Sequence, residues 1–322
     1  MNREDFPILS TGLIYFDNGA TTLKPKSVVE KMTDYYYNYP ANIHRGDYKI
    51  SLKASDEYEK VRTKVKNFIN ASSEDEIVFT EGATDSLNRV VFCFMEDYLN
   101  SGDEVIISKA EHASAVLPWL ILARGKNIKV VFVPLEENHE LSYTTLEKYI
   151  TAKTKVISLA AVTNVIGDVR DINKIGKLCH DRDILFVVDG AQSVPHQKTD
   201  VVKDNIDFLT FSAHKMLGPT GVGVLYAKKE YLEQNVSDEL EQLMEDKEIY
   251  TSNENSNVSV PITKNDSNNK KYNAQVVYPI ISNGDTIGTV ILLSKEANTK
   301  MNEVETKIAQ SAATFLGSQM EI

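Results

Sequence analysis

Only two cysteines, Cys93 and Cys179, occur in 322 residues. They stand far apart, so neither a disulfide framework nor a CxxC metal site is expected. Both fall in helix-like segments and are expected to be buried as small apolar residues. Long apolar runs are missing too: no stretch approaches the roughly 18 residues that a bilayer-spanning helix requires. The opening MNREDFPILS lacks the apolar centre of a signal peptide, so a cytoplasmic protein with no membrane partner is expected. Positive charge is in the minority, with 35 Lys and Arg against 46 Asp and Glu and a net charge of -11. No basic patch gathers what there is, which argues against a surface for a phosphate backbone and leaves no nucleic-acid partner expected.

What is present is ordinary globular material, 42% hydrophobic and long enough for one large or two modest domains with cores of their own. From residue 76 to 226 one rhythm repeats: an apolar, β-branched run, a polar or glycine turn, then a helix-like stretch. The runs EIVFT (76–80), EVIIS (104–108), IKVVFVPL (128–135), TKVISLAAV (154–162), ILFVVD (184–189), IDFLTFS (206–212) and VGVLYA (222–227) predict strands. Several are apolar throughout, as in a mostly parallel sheet covered by helices on both faces. In such α/β sheets functional groups gather just beyond the carboxyl ends of the strands.

The composition changes after about Leu232. Residues 251–273 hold seven asparagines and predict loops around at most one short strand, VSVPI (258–262). AQVVYPIIS and TIGTVILLS, separated by NGD, predict a β-hairpin. The final MNEVETKIAQSAATFLGSQM predicts an amphipathic closing helix with Val304, Ile308, Ala312, Phe315 and Leu316 on one face.

Four strand ends carry unusual polar residues. EIVFT runs into Glu81-Gly82-Ala83-Thr84, where amides and a hydroxyl open a helix and could cradle a phosphate, although alone this is an ordinary turn and cap. EVIIS leads to Lys109-Ala110-Glu111-His112, and a single histidine there is as readily a capping residue. ILFVVD closes on Asp189, and a carboxylate at the end of an apolar strand is costly unless it is used. IDFLTFS closes on Ser212, with His214 and Lys215 following and Gly218-Pro219-Thr220-Gly221 shaping the turn. Together a lysine able to form a Schiff base, an aspartate able to keep a pyridinium nitrogen protonated, and a hydroxyl-lined helix start are what pyridoxal 5'-phosphate requires.

The motifs YFDNGATT (15–22), NIHRGDY (42–48), EHASAVLPW (111–119), TNVIGDV (163–169), VDGAQSVPH (188–196) and SAHKMLGPTGVGVLY (212–226) resemble the class V aminotransferase family, and within it the cysteine desulfurases. The resemblance covers about residues 10–230. It implies a fold-type I pyridoxal-phosphate transferase large domain over residues 1–230. In it Thr84, Ser212 and His214 contact the phosphate, His112 stacks on the ring and takes part in catalysis, and Asp189 binds the ring nitrogen. Asn164 and Gln192 lie near the ring hydroxyl, Lys215 anchors the cofactor and shuttles protons, and His44 and Arg45 border the substrate pocket. The family reaction converts L-cysteine to L-alanine with persulfide transfer to an acceptor that the sequence does not specify, and a homodimer is expected. One departure lies in the phosphate turn, where many relatives have a threonine in place of Ala83.

Beyond about residue 230 relatives continue into a segment with the nucleophilic cysteine and a carboxylate-binding arginine. Neither has a counterpart here, so impaired sulfur transfer is expected. Residues 228–322 resemble instead the C-terminal GAF-like sensor domain of stage V sporulation protein T, over KKEYLEQNVSDELEQLMED, AQVVYPIISNGDTIGTVILLSK and the closing AATFLGSQME. An α+β partial GAF-like domain is therefore expected over 231–322, joined near 228–232 inside what reads as a single helix. Two other readings stand beside the desulfurase: a ligand-sensing regulatory module with a vestigial enzyme half, and another aminotransferase or lyase on the same scaffold.

Overall fold

The computed structural model describes residues 2–232, 236–252, 260–263, 266, 272–296 and 299–319. The chain divides into two compact units, Met1–Leu232 and Glu233–Ile322.

In the first unit two 3-10 turns, Arg3–Asp5 and Pro7–Thr11, precede helices α1 (Lys26–Asn38) and α2 (Lys49–Ile69). Strand β1 (Ile77–Thr80) leads into α3 (Ala83–Arg89), a wider π-helical turn at Val90–Met95 and the short α4 (Glu96–Tyr98). Then come β2 (Glu104–Ser108), α5 (Ala113–Lys126), β3 (Lys129–Val133), α6 (Tyr143–Lys148), β4 (Thr154–Ala160), α7 (Ile172–Asp181) and β5 (Leu185–Asp189). The unit closes with β6 (Phe208–Ser212), β7 (Gly223–Ala227) and α8 (Lys229–Leu232).

These strands form one sheet in the order β1-β7-β6-β5-β4-β2-β3. The β3-β2, β2-β4, β4-β5 and β5-β6 pairs are parallel, and β7 runs antiparallel to both its neighbours. Each expected strand is present, trimmed by a residue or two where the chain leaves the ladder. The alternation of side chains along a strand sends successive residues into two cores. Ile106, Ile157, Phe186, Val188, Leu209 and Tyr226 join one core with Leu146 of α6 and Ile175 and Cys179 of α7. Val105, Ile107, Val156, Val187, Phe208 and Leu225 join the other, with Leu87, Val90, Met95 and Trp119. Burying one such side chain contributes about 1.5–3 kcal/mol, and doing so on both faces explains why these strands are apolar without interruption.

The second unit contains α9 (Asp238–Glu245), β8 (Tyr250–Ser252), β9 (Ala274–Ser282), β10 (Asp285–Ser294) and α10 (Glu303–Gln319), with the strands in the order β10-β9-β8. The expected hairpin is present. Its two-residue turn, Asn283 and Gly284, has φ of 51° and 89°, the left-handed pair that suits the twist of two antiparallel strands.

Three expectations need correction. The join is not one helix: α8 is described over Lys229–Leu232, Val236 bridges to Thr263, and Ser237 caps the separate α9 by accepting from the Leu240 N–H at 3.1 Å. Of VSVPI, residues 258 and 259 lie outside the described residues and 260–262 are not in a strand; the short strand here is β8. The closing helix is present, but the apolar face read from its periodicity is largely turned out. Val304, Ile308, Phe315 and Leu316 are exposed, Phe315 at 63%, whereas Ala309 and Ala313 are buried. The helix lies so close to the hairpin that a Cβ at Gly317 would come within 2.3 Å of the Ile281 carbonyl oxygen. Small residues permit that approach, and the larger apolar side chains are excluded from the contact.

Candidate active site

At the carboxyl edge of the parallel strands lies a cavity of about 390 Å³. Its lining includes Thr84, His112, Asn164, Asp189, Gln192, Ser212, His214 and Lys215, together with Gly19, Ala20, Ser114, Ala160 and Val162. Thus eight of the residues singled out from the sequence face one space. His44 and Arg45 are not among its lining residues. His44, with a φ of 55°, lies ahead of α2 and pairs through Nε2 with Glu59 at 3.1 Å.

Asp189 ends β5 in the middle of the sheet. Its carboxylate is buried and accepts one hydrogen bond from the Ala191 N–H at 2.9 Å, and among the described residues no cation lies within ion-pairing distance of it. Burial pushes its pKa up, opposed by that hydrogen bond and by the fields of Lys215, His112 and Arg170. A carboxylate held at the end of an apolar strand, with a free face toward a cavity, is suited to a cationic ring nitrogen.

The neighbouring strand β6 ends on Ser212, whose hydroxyl accepts from the Ala83 N–H at 2.7 Å and so ties the start of α3 to the sheet. Thr84 Oγ1 and Ser114 Oγ are 2.8 Å apart, and His112 caps α5, with Nδ1 accepting from the Ser114 N–H at 3.1 Å. Hydroxyls and amides at the first turns of α3 and α5 therefore meet at one end of the cavity, a donor set that matches a phosphate. After Lys215 the chain turns tightly, with the Gly218 N–H donating to the Ala213 carbonyl at 2.8 Å.

Sequence reasoning assigned no role to the amino-terminal strap that secures this turn. The Thr22 N–H, the Thr22 hydroxyl and the Lys24 ammonium all donate to the His214 carbonyl, each at 2.9 Å. The Leu217 N–H donates to Thr22 Oγ1 at 2.9 Å, and Gln192 Nε2 donates to the Gly19 carbonyl at 2.8 Å. Lys24 has its pKa lowered by burial, and His214 is held low by burial and by the charges of Lys24 and Lys215. The strap's YFDNGATT carried a family resemblance, but the target of its hydrogen bonds, a carbonyl about 190 residues away, leaves no local signal in the sequence.

The two cysteines part company. Cys179 is buried, with its thiol pushed up by desolvation. Cys93 is exposed, contrary to the expectation of burial, because the π-helical turn at Val90–Met95 directs Val90, Val91 and Met95 inward and leaves Cys93 on the outer side. Neither lines the cavity.

A mostly parallel sheet covered on both faces, with a lysine and a buried aspartate at the carboxyl ends of adjacent strands, is the large-domain architecture of fold-type I pyridoxal-phosphate enzymes. Residues 14–256 match the family Aminotransferase class-V, and the chain belongs to that family. Membership implies pyridoxal phosphate as cofactor, and the donor set and buried carboxylate described above fit it. The chain is 43% identical over 244 residues to a probable cysteine desulfurase of Borreliella burgdorferi, covering 74% of this chain and 58% of that protein. It is 40% identical over 233 residues to one of Halalkalibacterium halodurans, covering 71% and 57%. The chain thus spans somewhat more than half the length of these relatives. Among solved structures it is similar to the apo cysteine desulfurase of Thermococcus onnurineus, with a TM-score of 0.68, 36% identity, and coverage of 82% of this chain and 64% of that one. The cysteine desulfurase CsdA of Escherichia coli gives a TM-score of 0.68 at 30% identity, covering 97% and 69%. Residues 222–321 match the C-terminal part of stage V sporulation protein T, a transcription factor, so the two matches overlap from 222 to 256. No helix among the described residues is long and apolar enough to cross a membrane.

Proposed function

We propose that residues 1–230 hold pyridoxal 5'-phosphate on Lys215 and present it to an amino acid, with L-cysteine the substrate suggested by the relatives' names. One observation carries this reading: the buried Asp189 carboxylate, with no cationic partner among the described residues, shares a cavity with the Lys215 amine and with the donors of Thr84 and Ser212. When bound, the cofactor supplies a sink for the electrons of a bond broken at the substrate's α-carbon. Asp189 keeps a proton on the ring nitrogen, and His112 packs on the ring. Thr84, Ser212 and His214 bind the phosphate, Asn164 and Gln192 orient the ring hydroxyl, and Lys215 Nζ takes and returns a proton. His44 and Arg45 act at the outer border, toward the substrate.

In this reading the chain engages cysteine but lacks an efficient sulfur acceptor of its own. Persulfide formation needs a thiolate that reaches the substrate sulfur; Cys179 is buried with a raised pKa and neither cysteine lines the cavity. A homodimer and a reducing, cytoplasmic setting belong to the same proposal, the latter because an exposed free thiol such as Cys93 persists where disulfides do not form. The test is to load the chain with cofactor, add L-cysteine, and follow the absorption spectrum, alanine and sulfide. The expected result is a spectral change with little alanine or sulfide. Rapid turnover abolished by Cys93→Ser would contradict it.

The second unit supports another reading. It has a core of its own around Ala274, Val276, Met301 and Ala309, and its similarity to a transcription factor's C-terminal part points to a GAF-like sensing module over 231–322. Self-association that depends on this unit, in a chain that takes up no cofactor, would favour this reading over the first.

A further inference from the structure

Beneath the cavity lies a charged cluster that contributes no group to its lining. The Arg170 and Glu111 side chains are 0% exposed and that of Asp168 is 4% exposed. Arg170 spends its guanidinium on four acceptors: Nη1 donates to Glu111 Oε1 at 2.5 Å and to the Ala160 carbonyl at 2.9 Å, Nη2 to Ser108 Oγ at 2.8 Å, and Nε to Asp168 Oδ2 at 3.3 Å. Glu111 also receives the Ser108 hydroxyl on Oε1 at 2.5 Å and the Ala160 N–H on Oε2 at 2.6 Å. Asp168 Oδ2 takes the Leu141 N–H at 3.3 Å, while the Asp168 N–H donates to Thr163 Oγ1 at 3.0 Å.

Stability alone does not account for this arrangement. A buried ionic cluster is commonly no more stabilising than apolar side chains of the same volume, because desolvation consumes the Coulombic gain. What the cluster does is join three pieces of backbone that form the cavity wall. Glu111 immediately precedes His112. Ala160, held through both its N–H and its carbonyl, ends β4 and lines the cavity. Asp168 and Arg170 close the loop that carries Val162 and Asn164, a loop also pinned by the Val162–Val169 bridge. The Ala161 N–H donates to the Asp189 carbonyl at 3.0 Å, which extends the frame to the strand bearing the buried aspartate.

We propose that Glu111, Asp168 and Arg170 are positioning residues for the cofactor cavity, fixing His112 and the Asn164 loop at the spacing and orientation that the bound ring requires. This rests on the cofactor reading given above. The cluster touches neither cofactor nor substrate; it acts through the residues that do. Burial pushes the pKa of Glu111 up, opposed by the Arg170 charge and by the hydrogen bonds from Ser108, Arg170 and the Ala160 N–H, and Arg170 also contributes to the positive field at Asp189.

The test uses the full chain with two variants, Arg170→Lys, which keeps a charge but loses the planar fork, and the neutral Glu111→Gln/Asp168→Asn/Arg170→Met. Cofactor affinity is measured by titration, and the circular dichroism of the lysine-bound cofactor band reports ring orientation. The expected result is a folded neutral variant with affinity reduced on the order of tenfold, the scale typical of losing hydrogen bonds that support the groups around a bound centre. Its dichroic band should be altered per mole of bound cofactor, and Arg170→Lys should be intermediate. A folded neutral variant with parental affinity and dichroism would overturn the proposal. If the neutral variant does not fold, Arg170→Lys decides by the same two readouts, and parental values in it overturn the proposal. Failure of the parent chain to take cofactor onto Lys215 would instead remove the underlying reading, and the positioning role with it.

Discussion

Gly223→Ala should damage the site without touching any polar group in it. Gly223 opens β7 in register with Ser212 on one side and Thr80 on the other. A Cβ at 223 would fall 2.4 Å from Gly82 Cα, 2.6 Å from its carbonyl carbon and 2.7 Å from its nitrogen. Carbon atoms in contact prefer separations of about 3.5–4.0 Å, so the turn that opens α3 must withdraw by roughly 1 Å. The obstacle is backbone, which has no rotamer to change. Overpacking of this kind costs about 1–3 kcal/mol, which for a unit of this size lowers the unfolding midpoint by about 2–4 °C per kcal/mol. The same withdrawal strains the 2.7 Å bond from the Ala83 N–H to Ser212 and moves Thr84, so cofactor affinity should fall more than stability does. Thermal unfolding and a cofactor titration measured on the same preparation separate the two effects. A variant indistinguishable from the parent in both would show that the Gly82 turn accommodates a Cβ at 223 without moving Thr84.

Three further outcomes follow from burial and charge. Because burial raises the pKa of Asp189 above the ordinary value near 3.9, its stability contribution is present below that value and is lost as pH rises through the folded pKa. Apo Asp189→Asn should therefore be more stable than the parent at neutral pH, by a margin that shrinks toward pH 4, yet bind cofactor less well; a midpoint lowered equally at both pH values would contradict this. His214 has a depressed pKa, so the unfolded chain binds the proton first and stability should decline as pH falls below about 6.5. His214→Gln should flatten that part of the pH profile, and an unchanged slope would count against it. A thiol reagent should label Cys93 in the native protein and reach Cys179 only on unfolding; prompt labelling of Cys179 would show that its surroundings open far more readily than the core packing implies.

The central sheet was legible because strands covered on both faces must be apolar throughout, and a polar residue that ends such a run stands out. Asp189 and the Ser212–Lys215 turn were found in that way. The π-helical turn at Val90–Met95 was not legible, since its apolar residues read as a buried helical segment, and this misplaced Cys93. The face of α10 was misread for a related reason: periodicity favours Ile308 and Phe315, whereas the helix buries Ala309 and Ala313 and brings Gly317 against the Ile281 carbonyl. Arg170 escaped notice because its partners Ser108 and Glu111 lie about 60 positions earlier in the chain, and a single arginine after a loop reads as a solvated charge until the fold closes over it.

The most direct test of the account is chemical. The full chain is incubated with pyridoxal phosphate, reduced with borohydride, digested, and its modified peptides are mapped. The expected result is a single dominant adduct on Lys215, absent in Lys215→Ala together with the visible absorption band. An adduct on another lysine, or a band that survives Lys215→Ala, would contradict the assignment of this cavity.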